Sequence, residues 1–592
     1  MHGYRVYRYR NIYSAYHRDY HGNPESLGIK VLSSLRHPDA ITNLKQQLGG
    51  QLDEWKDCGS IESCEGDVTI SATRPRYGVP DAFYIYIYEI DLDHNIFHIN
   101  GIPLFDLECL PSEEHFLKYV NHFDENLCFM QELPSEHKYK MPPPPTVTDS
   151  DLAMYRSSVR TGTHMALSDL LAAGDILSPP EQVRVTLFET MVRQCMAKEY
   201  IVPIFYRIQL ANDHNPRLTD DEWSVACSIA DIVFAPQIFD ERSRFIYNYK
   251  PNSTGFTWVR EDTVLCIATR LDDERCLQAS MSRLINAILE QKDPGDYFGV
   301  AFSVHHCAII KVVKGEEAMT FSHTEALQFL PSYYGDSPCT PGIAALARLA
   351  NHVDPTPSVR ASKIDHRERV RVYYKGSTGG KGSIAQGADN TPPRNFSCPA
   401  LPPELWQMIA LHLHVRDLIM LGLVSRRCRE VASMLLRYPH VCGYRLVGFS
   451  EEKLQCLLRP RAFLRPAIFS AVQAGVPATV LVGCRLTRTK GSLWVHVPLC
   501  EHRDQYQLRV PFAARNTSEP LCLCHFCDER CYVRLPMQPA AEVGGHAHVT
   551  KSHTKSHRPV SKSARRSRVT THRNFAYSCG QAKSSNFFGR LF

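Results

Sequence analysis

Residues 401–436 constrain the fold of this chain more than any other segment does. The stretch LPPELWQMIALHLHVRDLIMLGLVSRRCREVASMLL carries three short helical patterns, each with an apolar stripe. Pro402 and Pro403 suit the first turn of a helix, and Ser425 suits the N-cap of another. A unit of 36 residues is too small to bury all of this apolar surface by itself. We therefore expect part of the surface to meet another protein.

This segment resembles the F-box, the element by which substrate receptors join an SCF-type ubiquitin ligase. The resemblance implies three helices that dock on a Skp1-type adaptor and, through it, on a cullin. The residues that match F-box positions are Leu401, Pro402, Glu404, Leu405, Ile409, Leu413, Asp417, Leu418, Leu421, Val424, Ser425, Arg426, Arg429 and Ala432.

The resemblance also implies roles for individual side chains. Leu405, Val431 and Leu435 would hold the three helices together, and Cys428 stands where the family often has an aromatic residue. The side chains implied to bind the adaptor are Leu401, Pro402, Ile409, Leu413, Leu418, Leu421 and Val424.

Linker-like composition divides the 592 residues into several regions. A Pro run lies at residues 142–145, a Gly/Ser-rich stretch at residues 375–395, and a polar, basic end after about Met537. The second stretch predicts a flexible linker that lets the N-terminal half reorient around the docked helices. We predict an α+β multidomain protein with a mixed α/β N-terminal domain (1–352), a linker (353–397), a three-helix F-box (398–440), a small Cys-rich, β-containing C-terminal region (441–536) and a disordered basic tail (537–592).

The N-terminal half predicts strands and helices from its hydrophobic periodicity. It resembles a group of uncharacterised filamentous-fungal proteins that begin with Y-R-x-Y-R-Y and continue to P-E-x-L-G, a resemblance that implies no activity. Strands are predicted at residues 4–20 (two), 82–92, 96–99, 263–269, 297–304 and 307–313, and helices at residues 24–35 and 272–291.

Residues 466–484 have no charged side chain, but they do not predict a membrane span. Gln473, Gly475 and Pro477 interrupt the segment. We predict a short helix that ends at Gly475 and then a buried strand at residues 479–483, because Gly is a common helix C-cap and TVLVG is rich in β-branched residues. No membrane partner is expected.

The charge of the chain is concentrated at its C-terminal end. Residues 537–592 hold ten Lys or Arg and one Glu, a net charge of +9, whereas the whole chain carries +5. The run KSARRSR at residues 562–568 suits nucleic-acid binding or nuclear targeting, and a solvated disordered tail is the alternative. The chain start has no apolar signal segment, and 21 cysteines fit reduced thiols, so we expect the cytoplasm, the nucleus or both.

A cluster of cysteines near the C-terminal end suits a structural zinc site. Zinc prefers four tetrahedral sulfur or nitrogen ligands, often two from each of two tight turns. Our first choice of ligands is Cys500, His502, Cys524 and Cys527, with Cys522 and Cys531 as surplus candidates. The alternative is a Cys-rich strand pair with reduced, buried thiols. No other cofactor is expected.

The sequence argues against most enzyme classes. It has no H-E-x-x-H, G-x-S-x-G, G-x-G-x-x-G or P-loop signature. His305, His306 and Cys307 bring a thiol beside imidazoles, as a cysteine nucleophile requires, but His306 and Cys307 would point to opposite faces of a strand. The three are therefore expected to be core and hairpin residues. The Tyr/Arg alternation at residues 4–20 could stack bases, but a half-buried sheet explains it more simply. A pocket with convergent polar groups and perturbed ionisation would be needed to support an enzyme in residues 1–352.

These features together favour a non-catalytic F-box adaptor. It would hold an unknown target near the ubiquitin-transfer machinery and so raise the effective concentration of target lysines. The alternative is a zinc-stabilised nuclear protein that binds nucleic acid and whose F-box-like helices are structural.

Overall fold

The Tyr-rich start of the chain forms the centre of the first sheet. Its six strands lie in the order β3-β2-β1-β4-β5-β6, and β1 runs parallel to β4. A computed structural model gives the fold at residues 2–19, 21–58, 68–71, 85–123, 127–129, 133–158, 164–196, 198, 201–239, 255–315, 319–331, 340–353, 357, 359, 361–362, 401–450, 467–483, 493–499 and 507–515. The strands are β1 (His2–Tyr9), β2 (Ile12–Asp19), β3 (Val68–Ser71), β4 (Ile85–Asp91), β5 (Ile96–Ile99) and β6 (Ile102–Asp106).

One face of this sheet is packed by aromatic side chains against short helices. Tyr88, Phe97 and Phe105 bury against Phe116 of α3 and Leu32 of α1. The two predicted Tyr-rich strands, the following helix and the strand pair at β4 and β5 are confirmed. The elements around the sheet are a π-helical turn (Pro24–Gly28), α1 (Ile29–Leu35), α2 (Ala40–Cys58), a 3-10 turn (Leu107–Cys109), α3 (Glu113–Tyr119), β7 (Asn121–Phe123) and β8 (Leu127–Phe129).

A second sheet forms around the predicted helix of the middle segment. The helix begins after Asp273, whose carboxylate accepts hydrogen bonds from the backbone N–H groups of Arg275 and Cys276. Leu277, Met281, Leu284 and Ile288 share one buried face, as predicted from their spacing. The elements are β10 (Phe256–Arg260), β11 (Thr263–Ile267), α9 (Glu274–Leu289), β12 (Gly295–Phe302), β13 (His306–Lys314), β14 (Met319–His323) and β15 (Leu327–Gln328).

Among the described residues that precede the Gly/Ser-rich stretch, six further helices of five or more residues lie around these sheets. The longest is α6, which has buried side chains on most of its circumference and packs against α8 and α10. None of the helices that the structure describes is long and apolar enough to cross a bilayer. The six are α4 (Ala153–Ser158), α5 (Leu167–Leu171), α6 (Pro179–Met196), α7 (Val202–Gln209), α8 (Asp220–Phe234) and α10 (Pro341–Val353).

The third sheet combines strands from both sides of the Gly/Ser-rich stretch. Its order is β20-β21-β19-β18-β17-β16-β9, so β9 from the middle segment closes one edge. Its strands are β9 (Ile238–Phe239), β16 (His440–Val441), β17 (Tyr444–Ser450), β18 (Ala467–Gln473), β19 (Val476–Val482), β20 (Leu493–Pro498) and β21 (Gln507–Arg515).

The prediction of a helix that ends at Gly475 is wrong, because residues 467–482 form a β-hairpin. Ala474 and Gly475 both have positive φ, at 49° and 84°, which is the backbone geometry of a two-residue hairpin turn of type I′. Gly475 therefore serves a turn rather than a helix C-cap. The buried strand expected at residues 479–483 is present within β19.

The core of the molecule spans the predicted linker. Phe188 and Val192 of α6 belong to the same apolar cluster as Leu446, Phe469 and Val510 of the third sheet. All described residues belong to one compact unit, Met1–Leu535. The region boundaries at residues 352, 397, 440 and 536 stay predictions. The expectation that the N-terminal half reorients is corrected, since it shares this core with the strands that follow the three helices.

Candidate functional site

Three short helices form where residues 401–436 predict them: α11 (Pro403–Leu411), α12 (Val415–Leu421) and α13 (Arg426–Leu436). Pro403 occupies the first turn of α11, where its missing N–H costs no hydrogen bond. The hydroxyl of Ser425 caps α13, because it accepts a hydrogen bond of 3.2 Å from the backbone N–H of Cys428. The predicted starts of the first and third helices are thus confirmed.

The inner faces of the three helices form a small apolar core. Ala410, Leu418 and Ile419 pack with Val431 and Leu435 of α13. Val431 and Leu435 thus lie where the resemblance placed them, between the helices. Cys428 is fully buried at the start of α13, so its small side chain suits the available space.

The outer faces of the same helices expose an unusual amount of apolar surface. Eleven large apolar side chains are exposed among the residues that the structure describes, and seven of them lie on or beside these three helices. Soluble proteins rarely group exposed apolar side chains in this way unless another molecule covers them. Six of the seven, which we call the apolar surface, are Leu405, Met408, Ile409, Met420, Leu423 and Val424, and the seventh is Met434 on α13.

The structure sorts the side chains predicted to bind the adaptor into three groups. Pro402, Ile409 and Val424 are exposed, with 42% of Ile409 and 55% of Val424 accessible to solvent. Leu401, Leu413 and Leu421 are half-buried. Leu418 is only 1% exposed, so it is a core residue of this helical unit rather than part of its surface.

Sequence reasoning placed Leu405 wrongly and missed three members of the apolar surface. Leu405 was expected between the helices, but 43% of its side chain is exposed. Met408 lies three residues after Leu405 and shares its face of α11, and Leu423 lies three residues after Met420. This spacing was the signal that could have identified them.

The three helices are held firmly against the rest of the protein. The strand β16 follows α13 directly and pairs in parallel with β9, with hydrogen bonds of 2.7 Å from His440 N to Gln237 O and 2.6 Å from Cys442 N to Phe239 O. Ile238 of β9 joins the apolar core of the helices. Gly475 of the hairpin turn lies so close to His412 that a Cβ there would collide with the imidazole ring.

A polar cleft in the N-terminal half is the place where the described residues would have to form an active site. The cavity has a volume of about 350 Å³ and lies between the first sheet and the segment that joins α7 to α8. Its lining includes Arg8, Asp91 and Arg207, with Tyr206 and Glu222. Ionisable groups that burial or neighbours perturb are more common at functional sites than elsewhere.

Asp91 is the centre of the charges in this cleft. Its Oδ2 lies 2.8 Å from both Nη1 of Arg8 and Nδ1 of His94. Burial opposes ionisation, but the hydrogen bond from His94 and the charge of Arg8 outweigh it and lower the pKa of the Asp91 carboxyl. A general base works best with a pKa near the working pH. The arrangement therefore fixes a negative charge rather than preparing Asp91 for proton transfer.

The other candidate functional residues of the N-terminal half are either buried or paired with groups of the same protein. Burial lowers the pKa of His305 to about 3 and raises the pKa of the Cys307 thiol, so neither the charged imidazole nor the thiolate is favoured. Arg8 and Arg10 of the Tyr/Arg strands make ion pairs of 2.8 Å and 2.7 Å with Asp91 and Asp53. The guanidinium groups are thus occupied by carboxylates of the same protein.

The predicted zinc ligands and the basic tail lie outside the described residues. Cys500, His502, Cys524 and Cys527 are among them, as are Cys522, Cys531 and residues 537–592. Within the part of the chain that the structure describes, no group of three or more His, Cys, Asp or Glu side chains could hold a metal ion. The zinc site stays a prediction.

Comparison with known proteins identifies one segment. No curated protein and no solved structure matches the chain. Residues 399–440 match the family model described as the F-box domain. These residues include α11, α12 and α13, so the chain contains an F-box domain whose outer faces carry the apolar surface.

Proposed function

We propose that this protein is an F-box adaptor that docks on a Skp1-type protein and recruits a target for SCF-mediated ubiquitination. The observation that carries the proposal is the apolar surface, which gathers six of the eleven exposed large apolar side chains of the described residues on one small helical unit. Such a surface gains free energy when a partner removes it from water.

The apolar surface supplies a driving force for docking. Fully burying one Leu, Ile, Val or Met side chain contributes roughly 1.5 to 3 kcal/mol. Association costs about 4 to 15 kcal/mol in translational and rotational freedom, so a stable complex requires that several side chains of the apolar surface are buried together. The half-buried Leu401, Leu413 and Leu421 would add to the contact at the edge of the apolar surface.

The proposed role needs no catalytic group in this chain. An adaptor that holds a target near a cullin-bound ubiquitin carrier acts through effective concentration. The shared core and the pairing of β16 with β9 would keep the target-bearing part at a fixed angle to the docked helices. We propose the cytoplasm, the nucleus or both as its location, since the described free cysteines include six buried thiols.

The direct test is capture of the full chain by a purified Skp1-type adaptor. Ile409→Asp places a charge in the centre of the proposed contact, where it would be buried without a partner. Ile176→Asp is the matched control, because Ile176 is 85% exposed and lies outside the F-box domain. We expect Ile409→Asp to abolish capture and Ile176→Asp to leave it unchanged.

Leu418 is not a suitable probe for this test. A charge at this buried position would disrupt the helices themselves, and lost capture would then report unfolding. Val424→Asp is the better second variant, since Val424 is exposed on the other part of the apolar surface. Absence of capture by the unaltered chain, under conditions where a known F-box protein binds, would contradict the proposal.

The second candidate function is a zinc-stabilised nuclear protein that binds nucleic acid through its tail. Two observations favour it: the net charge of +9 in residues 537–592, and the pairing of β20 with β21, which places Cys500 and His502 between two antiparallel strands in the sequence. Elemental analysis of the purified chain tests the metal. Nucleic-acid binding that weakens steeply with salt and disappears on deletion of residues 537–592 would support the tail's role.

A further inference from the structure

Methionine is placed unevenly over the surface of this protein. The structure describes the surroundings of ten methionines, and the three that are exposed, Met408, Met420 and Met434, all lie on the F-box helices. Met191, Met196 and Met281 are buried in the body. A thioether that is exposed to solvent is open to oxidants, whereas a buried one is shielded.

Two of the exposed methionines occupy the apolar surface among aliphatic neighbours. Met408 lies beside Ile409 and one helical turn from Leu405 on α11. Met420 lies on α12, three residues before Leu423 and four before Val424. Oxidation would therefore change the chemistry of both the α11 part and the α12 part of this surface.

Met434 differs from these two in its surroundings. It follows Arg427 and Glu430 at spacings of seven and four residues, so it lies on the charged, solvent-facing side of α13. Cys428 and Ala432, which are fully buried, lie on the other side of α13. Met434 thus provides an internal comparison: its exposed fraction of 45% is close to the 48% of Met420, but its helical neighbours include charged side chains.

We propose that Met408 and Met420 are peroxide-sensitive modification sites whose oxidation switches off docking of the F-box helices. The proposal rests on the proposed function, because it assumes that the apolar surface binds the adaptor. In the reaction the sulfur lone pair attacks one oxygen of hydrogen peroxide. An S–O bond forms and the O–O bond breaks, so that the sulfur, oxidised by two electrons, carries an OH group and hydroxide is released. The hydroxide takes the proton of this OH group, which gives water and the sulfoxide.

The physical cause of the switch is desolvation. A sulfoxide oxygen accepts hydrogen bonds from water, and an apolar contact offers it no donor in exchange. Unoxidised methionine, by contrast, is flexible and polarisable and adapts to a partner surface. The modification is reversible by sulfoxide reductases, so docking could be restored without new synthesis.

The test measures the dissociation constant of the full chain and a Skp1-type adaptor before and after treatment with hydrogen peroxide. Dithiothreitol is added afterwards to reduce cysteine disulfides and sulfenic acids, which leaves methionine sulfoxide in place. Mass spectrometry reports which methionines were oxidised. We expect at least a tenfold weaker affinity once Met408 and Met420 are oxidised, and recovery on treatment with sulfoxide reductases.

Matched variants show whether oxidation of Met408 and Met420 causes the loss of affinity. The affinity of Met408→Leu/Met420→Leu, whatever its untreated value, should not change on peroxide treatment, because leucine has no sulfur to oxidise, whereas Met434→Leu should remain as sensitive as the unaltered chain. Equal affinity of the oxidised and untreated chains would overturn the inference and leave the adaptor role standing. Loss of affinity in the oxidised double variant would also overturn it. Absence of binding by the untreated chain would overturn both proposals.

Discussion

At the scale of single residues, two aliphatic side chains of the F-box helices differ sharply in their exposure to solvent. Ile409 is 42% exposed and Leu418 is 1% exposed, although both belong to apolar stripes of similar composition. Leu418→Asp would bury an unpaired charge, so we expect it to lower the free energy of unfolding of the helical unit by about 3 kcal/mol or more. Ile409→Asp should change it by no more than about 0.5 kcal/mol.

Hydrogen exchange of the amides in α11, α12 and α13 measures this difference directly. The full chain with Leu418→Asp should lose protection in all three helices, and the Ile409→Asp chain should keep it. Equal loss of protection in the two variants would contradict the placement of these side chains.

The Asp91 network makes a second prediction at this scale, which concerns pH. Because the pKa of Asp91 is lowered in the folded state, its contribution to stability is present above the unfolded pKa of about 4 and is lost as the pH falls toward the folded value. Asp91→Asn removes this contribution. At pH 7 the variant should be less stable than the unaltered chain. Between pH 5 and pH 3 it should lose less stability than the unaltered chain, as thermal unfolding would report. If the stability of both proteins fell equally over this pH range, the lowered pKa of Asp91 would be contradicted.

The sequence predicted the burial of only some of these side chains. Helical spacing identified apolar faces, but it could not decide which face of a short helix is inner when both carry leucine or methionine. Leu405 and Leu418 exchanged places for this reason. The burial of Val431 and Leu435 was predictable because they follow Cys428 at spacings of three and seven residues on one face of α13.

At the scale of elements, the cap of α13 is a defined contributor to the F-box fold. The Ser425 hydroxyl satisfies a backbone N–H that the helix itself leaves without a partner. Ser425→Ala should lower the free energy of unfolding of the helices by about 1 kcal/mol, whereas Ser425→Gly should lower it by only a few tenths of a kcal/mol. A comparison of the two variants by hydrogen exchange checks the prediction, and a larger cost for glycine would refute it.

The turn between β18 and β19 makes the second prediction for an element. Gly475 has φ of 84° and faces the ring of His412, so Gly475→Ala introduces both backbone strain and a collision. The collision should be relieved by a second change, His412→Ala, while the strain remains. In unfolding measurements, the double variant should therefore recover part of the stability that Gly475→Ala loses. No recovery would mean that the turn is not in contact with His412, which follows α11 directly.

Most elements followed from local pattern, and the hairpin shows where local pattern fails. Alternating apolar residues predicted β4, β5 and β12, and an apolar stripe predicted α9. The sequence predicts a short helix that ends at Gly475, because glycine ends helices as well as forming hairpin turns. The pairing of β18 with both β17 and β19 decides between these roles.

At the scale of the whole molecule, the decisive contacts join distant parts of the chain. The strands β9 and β16 have two residues each and lie about two hundred residues apart in sequence, so neither has a pattern that predicts the pairing. That pairing, together with the shared core, attaches the F-box helices to the body. The fold therefore attaches the apolar surface to the body of the protein, which would favour one fixed geometry in the proposed assembly with an adaptor.

The most direct test of the adaptor role is calorimetric titration of the full chain with a Skp1-type adaptor at several temperatures. Docking through the apolar surface predicts saturable binding with a negative heat-capacity change, because apolar side chains leave water. Ile176→Asp should reproduce this result, and Ile409→Asp should remove it. Saturable binding that Ile409→Asp and Val424→Asp leave unchanged, or no binding by the unaltered chain, would contradict the central claim that these helices form an adaptor-docking site.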